Sequence, residues 1–280
     1  MMQQAREVAR APAPGADASG ATASDAPPLL RASGVTLQYK TPDHLVTATY
    51  RVSFDIFPAE RFVILGPSGC GKSTLLKAIA GFIKPVEGKI LLKGKPVAGP
   101  GPDRMMVFQE FDQLLPWKTV IQNVMFPMLE NRVRRAEAGA RALDAVKRLG
   151  LTEFVDVYPH MLSGGMKQRC AIARAMAMKP DVLLMDEPYG SLDALTRRKM
   201  QDELLQLWDD IRFTLVFVTH SIEEAAIVGS RITVLSPHPG QVRAELNSPG
   251  FAHDARSSLA FQNLVNHISG MLFGEESQHS

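Results

Sequence analysis

The stretch that decides the fold of this 280-residue chain is Gly66-Pro67-Ser68-Gly69-Cys70-Gly71-Lys72-Ser73. It matches the pattern G-x-x-x-x-G-K-S/T, whose glycines let the backbone bend until successive N–H groups point at phosphate oxygens. The apolar segment 61–65 precedes it, and 73–82 carries apolar residues at the spacing of one helix face. Strand, loop and helix in this order predict an α/β domain in which the loop and the helix dipole bind a nucleotide phosphate.

The loop also supplies a charge and a hydroxyl group with distinct predicted roles. Lys72 places a point charge beside the β- and γ-phosphate oxygens, and the Ser73 hydroxyl is a ligand for Mg²⁺. Thr74 follows directly, so the predicted nucleotide-binding stretch runs from Gly66 to Thr74, with ATP and Mg²⁺ as its cofactors.

A second stretch, 182–187, is an apolar run that ends in Asp186 and Glu187. A buried strand of this kind brings its last side chains beside the phosphate loop of the same sheet. Asp186 is therefore predicted to hold the Mg²⁺ shell, and Glu187 to act as general base towards the attacking water. A solvated pair of carboxylates at a strand end remains the alternative on these two residues alone.

A third segment, Leu162-Ser163-Gly164-Gly165-Met166, opens a helical stretch over 167–178. Ser163 stands at the N-cap position, and Gly164 and Gly165 expose backbone donors. A helix start with free N–H groups predicts an anion site that needs no lysine. A capped helix without a ligand is the alternative.

In their order, these motifs resemble those of ABC ATPases, and the resemblance extends over about residues 33–240. It implies a P-loop NTPase fold of the ABC ATPase type, with a RecA-like core, an antiparallel β subdomain and a helical subdomain carrying the LSGG signature. It also implies that Gln109 in the Q-loop is a ligand of Mg²⁺ and senses the catalytic water. By the same resemblance Asp193 belongs to the D-loop, and His220 is the switch histidine that contacts the γ-phosphate.

Other positions match the family pattern less closely. Tyr39 lies where the family keeps an aromatic side chain that stacks on adenine, and Tyr50 is a second candidate. Met166 replaces the more usual glutamine of the signature without removing a backbone donor. Cys70 fills a variable position of the phosphate loop, and its thiol predicts a sensitivity to alkylation.

The resemblance implies an assembly as well. In the family two such chains associate head to tail, so that ATP lies between the phosphate loop of one and the signature of the other; a homodimer is therefore expected. The segment Leu114-Leu115-Pro116-Trp117 is similar to the LLPW of nitrate, sulfonate and taurine importers. In these importers the cassettes bind two integral-membrane permease subunits, and an external solute-binding protein delivers the cargo. Trp117 either helps to dock the permease or fills the core between subdomains.

The expected function is ATP hydrolysis that drives uptake of a small anion or a sulfur or nitrogen compound, at the cytoplasmic face of the bacterial inner membrane. An exporter ATPase and a soluble ABC ATPase of translation or DNA repair are the alternatives. Translation factors of the family carry two cassettes, whereas one is present here. Repair ATPases contain a long coiled coil, and the sequence between Lys72 and Ser163 shows no sustained heptads.

The amino-acid composition argues against a nucleic-acid-binding protein and against a membrane-spanning one. The chain has 31 basic and 29 acidic side chains, so it has no excess positive field to attract nucleic acid. No apolar run approaches the roughly 18 residues of a membrane helix, so other subunits would have to cross the membrane. Domain boundaries follow from composition and periodicity: a disordered tail over 1–28, the ATPase domain over 29–245 with its helical subdomain at about 110–178, and a helical extension over 246–280.

Overall fold

The computed structural model describes residues 27–40, 44–109, 113–248, 251 and 256–273. Within these ranges the chain forms two β-sheets and seven α-helices. All but the last two residues of the predicted N-terminal tail lie outside the described residues. The helices are α1 (Lys72–Ala80), α2 (Val120–Glu130), α3 (Arg135–Arg148), α4 (Gly164–Ala177), α5 (Ala194–Ile211), α6 (Ile222–Val228) and α7 (Leu259–Phe273).

The larger sheet has six strands in the order β10-β9-β3-β8-β7-β6. Neighbouring strands pair in parallel except for the last strand, which is antiparallel to β9. Every residue of β3, β7 and β8 is buried, as expected where helices cover both faces of a parallel sheet. The α/β class predicted from the sequence is confirmed. The strands are β3 (Arg61–Leu65), β6 (Arg104–Val107), β7 (Val182–Asp186), β8 (Thr214–Thr219), β9 (Arg231–Leu235) and β10 (Val242–Asn247).

The register of the central strands brings three chain segments to one edge of this sheet. Leu65 at the end of β3 lies opposite Thr219 at the end of β8, and Val218 of β8 lies opposite Asp186 at the end of β7. Open α/β sheets bind ligands at the carboxyl ends of their strands. The segments that follow these strands therefore form the candidate site.

The smaller sheet is antiparallel and has four strands in the order β2-β1-β4-β5. Its inner face packs on α1 and on one face of the larger sheet, in a core that includes Leu37, Val52, Leu76 and Val216. The smaller sheet is thereby fixed over the helix that follows the phosphate loop. Its strands are β1 (Leu30–Lys40), β2 (Leu45–Ile56), β4 (Glu87–Leu92) and β5 (Lys95–Pro96).

A helical layer built from α2, α3 and α4 packs on the larger sheet. A reciprocal capping box starts α2: the Thr119 side chain accepts from the Gln122 backbone, and the Gln122 side chain accepts from the Thr119 backbone. Buried Asn123 accepts a hydrogen bond from Leu115 N–H and donates to the carbonyl oxygens of Leu115 and Lys118. The segment that contains Trp117 is therefore anchored at both ends by one side chain of α2.

The last described helix, α7, packs against α5 and α6. Phe261 of α7 is buried in a cluster with Leu205 of α5 and with Ala226 and Ile227 of α6. This contact attaches the C-terminal part of the chain to the helices that flank the larger sheet. In the described part of the chain, no helix has both the length and the apolar character needed to span a bilayer.

Candidate nucleotide site

The phosphate loop lies between β3 and α1 and is held from two sides by backbone contacts. Gly71 has φ +95°, and a Cβ atom there would lie 2.5 Å from the carbonyl oxygen of Ala48 in the smaller sheet. On the other side, a Cβ atom at Gly240 would lie 2.2 Å from the carbonyl oxygen of Cys70. Side chains fit at neither position, so both glycines are needed for the loop to keep its path.

Lys72 is buried at the centre of this loop. Its Nζ donates hydrogen bonds of 2.9 Å to the carbonyl oxygens of Gly66 and Pro67. The same ammonium lies 3.6 Å from Oε1 of Glu187. The charge is thus held against the loop and faces the end of β7, where a phosphate could accept from it.

Ser73 and Asp186 meet across the gap between α1 and β7. Ser73 Oγ donates to Asp186 Oδ1 at 2.8 Å. Burial raises the pKa of Asp186 above its usual value, the hydrogen bond from Ser73 opposes the rise, and the Glu187 carboxylate adds to it. A carboxylate in this setting gains from a nearby cation.

The same pair of oxygen atoms fits a magnesium ion. Adjacent ligands of an octahedral ion with bonds of about 2.1 Å lie about 3 Å apart, and the oxygens of Ser73 and Asp186 are separated by 2.8 Å. Both are hard oxygen donors, which Mg²⁺ prefers. Among the described residues, no group of three or more His, Cys, Asp or Glu side chains could hold a metal. One hydroxyl and one carboxylate oxygen suit a site in which Mg²⁺ takes its other ligands from phosphate and water.

Glu187 occupies a strained position between two partners. Its backbone has φ +42°, a conformation that costs a non-glycine residue of order 1 kcal/mol and that concentrates at functional sites. Its Oε2 lies 2.9 Å from Nδ1 of His220, and its Oε1 faces Lys72. The carboxylate is thus oriented from both sides, at the edge of the phosphate loop.

Gln109 follows β6 and reaches the same edge. A Cβ atom at Gly190 would lie 3.0 Å from Nε2 of Gln109. The exposed amide of Gln109 therefore packs on the turn that follows Glu187. The sequence analysis did not identify Gly190 or Gly240 as site residues. Each is a glycine in a loop, and only the structure shows that these loops contact the site.

The signature residues and Asp193 form a separate cluster at the starts of α4 and α5. Ser163 caps α4 by accepting from Met166 N–H, and a Cβ atom at Gly165 would lie 3.2 Å from Thr196 Cγ2. Asp193 caps α5, and hydrogen bonds from the first residues of that helix lower its pKa. In the described ranges, no hydrogen bond or ion pair joins these residues to the phosphate loop.

Both tyrosines proposed for adenine stacking lie in the smaller sheet. Tyr39 is 50% exposed and pairs with Val46, near the strand segment that touches Gly71. Tyr50 is 40% exposed, and the guanidinium of Arg51 lies 5.4 Å from the centre of its ring. Tyr39 has an accessible ring, and its assignment stays a prediction.

The expected sensitivity of Cys70 to alkylation is wrong for the folded chain. The side chain is fully buried in the core shared with α1, and burial raises the pKa of its thiol. Reaction with alkylating reagents requires an accessible thiolate. Cys70 therefore contributes backbone groups to the loop and an inert side chain to the core.

Fold and site together define a nucleotide-binding protein of the P-loop class. A profile of the ABC transporter family matches residues 49–190. The taurine import ATP-binding protein TauB of Rhizobium johnstonii is 48% identical over 244 residues, which cover 84% of this chain and 92% of that protein. The bicarbonate transport ATP-binding protein CmpD of a Synechocystis species is 42% identical, over 75% of each chain.

A solved structure agrees with this assignment. A dimeric ATP-binding cassette in a post-hydrolysis state, bound to ADP and phosphate, is 34% identical and superimposes with a TM-score of 0.69. The match covers 79% of this chain and 100% of that one. The chain belongs to the ABC transporter family, as one of its ATP-binding cassettes. The ABC ATPase fold predicted from the sequence is confirmed.

Replacing Asp186 with Asn should stabilise the ligand-free protein at pH 7. The raised pKa means that the folded state binds a proton more tightly than the unfolded state, so the ionised carboxylate lowers stability at neutral pH. Asn removes this charge and still accepts from Ser73. We expect the free energy of unfolding in urea to rise at pH 7.

The advantage of the Asn variant should shrink as the pH falls towards 4, because the wild-type carboxyl group then becomes neutral. Asp156→Asn, which changes an exposed carboxylate, serves as the control and should leave stability nearly unchanged. An Asp186→Asn protein that is less stable than wild type at pH 7 would contradict this view of the site.

Proposed function

We propose that this chain is the ATP-hydrolysing subunit of an importer for a small anion or a sulfur or nitrogen compound. The observation that carries the proposal is the convergence of Lys72, Glu187 and His220 beside the Ser73–Asp186 pair. The name of TauB, a taurine import protein, supports uptake as the direction of transport. Taurine and the bicarbonate in the name of CmpD support a small anion or a sulfur or nitrogen compound as the cargo.

Each group at the site has its own role in ATP binding and hydrolysis. The loop N–H groups and Lys72 bind the β- and γ-phosphates of ATP. Glu187, held between Lys72 and His220, accepts the proton of the attacking water. With Nδ1 of His220 turned to Glu187, Nε2 of the ring is left to face the γ-phosphate, and Gln109 orients the water. Ser73, Asp186 and Gln109 would hold Mg²⁺, which neutralises phosphate charge when bound.

Two chains share each site in this proposal. Ser163, Gly164 and Gly165 lie apart from the phosphate loop of their own chain and have backbone donors at a helix start. They would contact the γ-phosphate bound to a second chain, with Asp193 beside them. The dimeric relative supports such a pairing. ATP then favours a closed dimer, and hydrolysis releases it.

A groove beside Gln109 is the proposed docking site for the permease subunits. A cavity of about 350 Å³ is lined by Phe82, Pro102, Met105 and Phe108, at the border between the larger sheet and the helical layer. Its apolar lining suits an amphipathic helix of the permease, in the helix-in-groove mode. Such docking places the chain on the cytoplasmic face of the inner membrane, with a solute-binding protein on the outer side.

Replacing Glu187 with Gln should preserve ATP binding and lower hydrolysis by about a hundredfold or more, because the base is lost. The variant should then accumulate as an ATP-bound dimer, which light scattering in saturating ATP would detect. Glu153→Gln, which changes an exposed carboxylate, should hydrolyse ATP normally. A Glu187→Gln protein that stays monomeric in ATP would contradict the shared site.

Trp117 does not line the groove beside Gln109 and is a second proposed contact for the permease, as an exposed aromatic side chain of the LLPW segment. Replacing Trp117 with Ala should weaken permease binding without unfolding the cassette. Its side chain is 69% exposed, so the alternative in which it fills the core is wrong for this chain. We expect ATP hydrolysis by the isolated cassette to stay within about twofold of wild type, since the change lies on the surface. Recovery of the cassette with co-expressed permease should fall about tenfold.

Leu259→Ala, which truncates an exposed apolar side chain on α7, is the matched control for Trp117→Ala. It should lower neither hydrolysis nor recovery with the permease. Unchanged recovery of the Trp117 variant would remove this residue from the docking surface.

The transported solute can be identified by growth of a strain that lacks this gene on single sulfur or nitrogen sources, with taurine, other sulfonates and nitrate in the panel. Growth should fail on one source and return with the wild-type gene but not with Lys72→Ala, because uptake requires ATP binding. Normal growth and normal uptake on every source would contradict an importer of this class.

A further inference from the structure

The position of His220 is set mainly by its neighbours in the chain. Its side chain is 53% exposed and contacts Glu187 at one ring nitrogen. The residues on either side are held much more firmly: Thr219 is buried, and Ser221 caps α6 by accepting from Glu224 N–H. What fixes Thr219 and Ser221 therefore also fixes the direction in which His220 points.

A chain of side-chain hydrogen bonds leads from these neighbours to the C-terminal segment. Ser221 N–H donates to Thr219 Oγ1, and Thr219 Oγ1 donates to one carboxylate oxygen of Glu224. The other oxygen of Glu224 accepts from Nε2 of Gln201 in α5, at 3.0 Å. The Oε1 atom of Gln201 accepts from Nη2 of Arg256 at 2.8 Å, which completes the connection.

The direction of every link in this chain is determined by chemistry. Arg256 can only donate, so Gln201 must turn its oxygen to Arg256 and its NH₂ group to Glu224. The carboxylate of Glu224 can then accept from Gln201 and from Thr219 together. Thr219, Gln201 and Glu224 are buried, and a buried polar group that loses its partner is costly. The arrangement at His220 therefore depends on the donor at the far end.

The donor is brought into place by the packing of α7. Phe261, five residues beyond Arg256, is buried against α5 and α6. The guanidinium of Arg256 also lies 3.5 Å from Asp202, next to Gln201 on α5. The C-terminal segment is thus joined to the hydrogen-bond chain by one cation and to the helices around it by an apolar contact.

We propose that Arg256, acting through Gln201, Glu224 and Thr219, is a positioning residue for the switch histidine His220. The C-terminal segment thereby sets the efficiency of ATP hydrolysis from outside the nucleotide site. The inference rests on the proposed function, since it assigns a role to His220 in hydrolysis. It adds a residue of the C-terminal segment to the machinery that orients the site.

Arg256→Met removes the donor and retains an apolar stem. We expect kcat for ATP hydrolysis to fall about threefold to tenfold with KM for ATP unchanged, because nucleotide contacts are intact. Arg256→Lys, which can still donate to Gln201, should recover most of the rate. Lys199→Met removes an exposed cation from the same surface of α5 and is the matched control; its rate should equal that of wild type.

Glu224→Leu provides a test at the centre of the chain. A leucine side chain accepts neither from Gln201 nor from Thr219, so both links at this position break. Adding Arg256→Met to Glu224→Leu should then lower kcat by much less than Arg256→Met lowers it in the wild-type background, the non-additivity expected of coupled residues. Fully additive effects would show that Arg256 acts by another route.

An NMR measurement on His220 tests the proposal independently of the ATPase rate. The ring signal of His220 in an NMR spectrum of histidine-labelled protein can be assigned by its loss in His220→Asn. Arg256→Met should shift or broaden that signal, Arg256→Lys should restore it, and Lys199→Met should leave it unchanged. An unmoved signal overturns the proposal. Wild-type protein that fails to hydrolyse ATP overturns the proposed function instead, and the NMR result still stands.

Discussion

The parallel pairing of β3, β8 and β7 is the constraint on which the rest of the structure depends. Because these strands pair in register, they end at the same edge of the sheet. The phosphate loop lies more than a hundred positions before the carboxylates of Asp186 and Glu187 and before His220 in the sequence. This pairing nevertheless brings Ser73 and Lys72 against the two carboxylates, and Glu187 against His220. A shift of one strand by one residue would turn its side chains to the other face and disperse the site.

The site brings together groups that a stable core would separate. Asp186 is a buried carboxylate with a raised pKa, Glu187 has an unfavourable backbone conformation, and Lys72 is a buried ammonium. The buried carboxylate of Asp186 and the backbone conformation of Glu187 each lower the stability of the ligand-free protein. All three groups are placed to interact with a phosphate or a cation. The buried apolar strands β3, β7 and β8 around them offset this loss.

Much of the site could be predicted from sequence because its motifs are local. The phosphate loop, the carboxylates after β7 and the cap at Ser163 are each encoded within a few consecutive residues. Contacts between distant segments could not be predicted in this way. The approach of Gly190 to Gln109, the contact of Gly240 with Cys70 and the link between Arg256 and Gln201 depend on how the chain packs.

The solvent exposure of individual side chains also could not be predicted from the motifs. Trp117 is open to solvent although tryptophan is often buried, and Cys70 is buried although it stands in a loop. In both cases tertiary contacts determine whether the side chain is exposed. A motif defines the local backbone conformation and not which residues pack over a side chain. Neither position has a local pattern that distinguishes the two outcomes.

A nucleotide site shared between two chains can be tested most directly by mixing two inactive variants. Lys72→Ala lacks a functional phosphate loop, and Ser163→Arg lacks a functional signature, so neither homodimer contains an intact site. A mixed dimer contains one, formed by the loop of the Ser163 variant and the signature of the Lys72 variant. Random pairing in an equal mixture should restore about a quarter of the wild-type ATPase rate. A mixture no more active than its separate components would contradict the shared site.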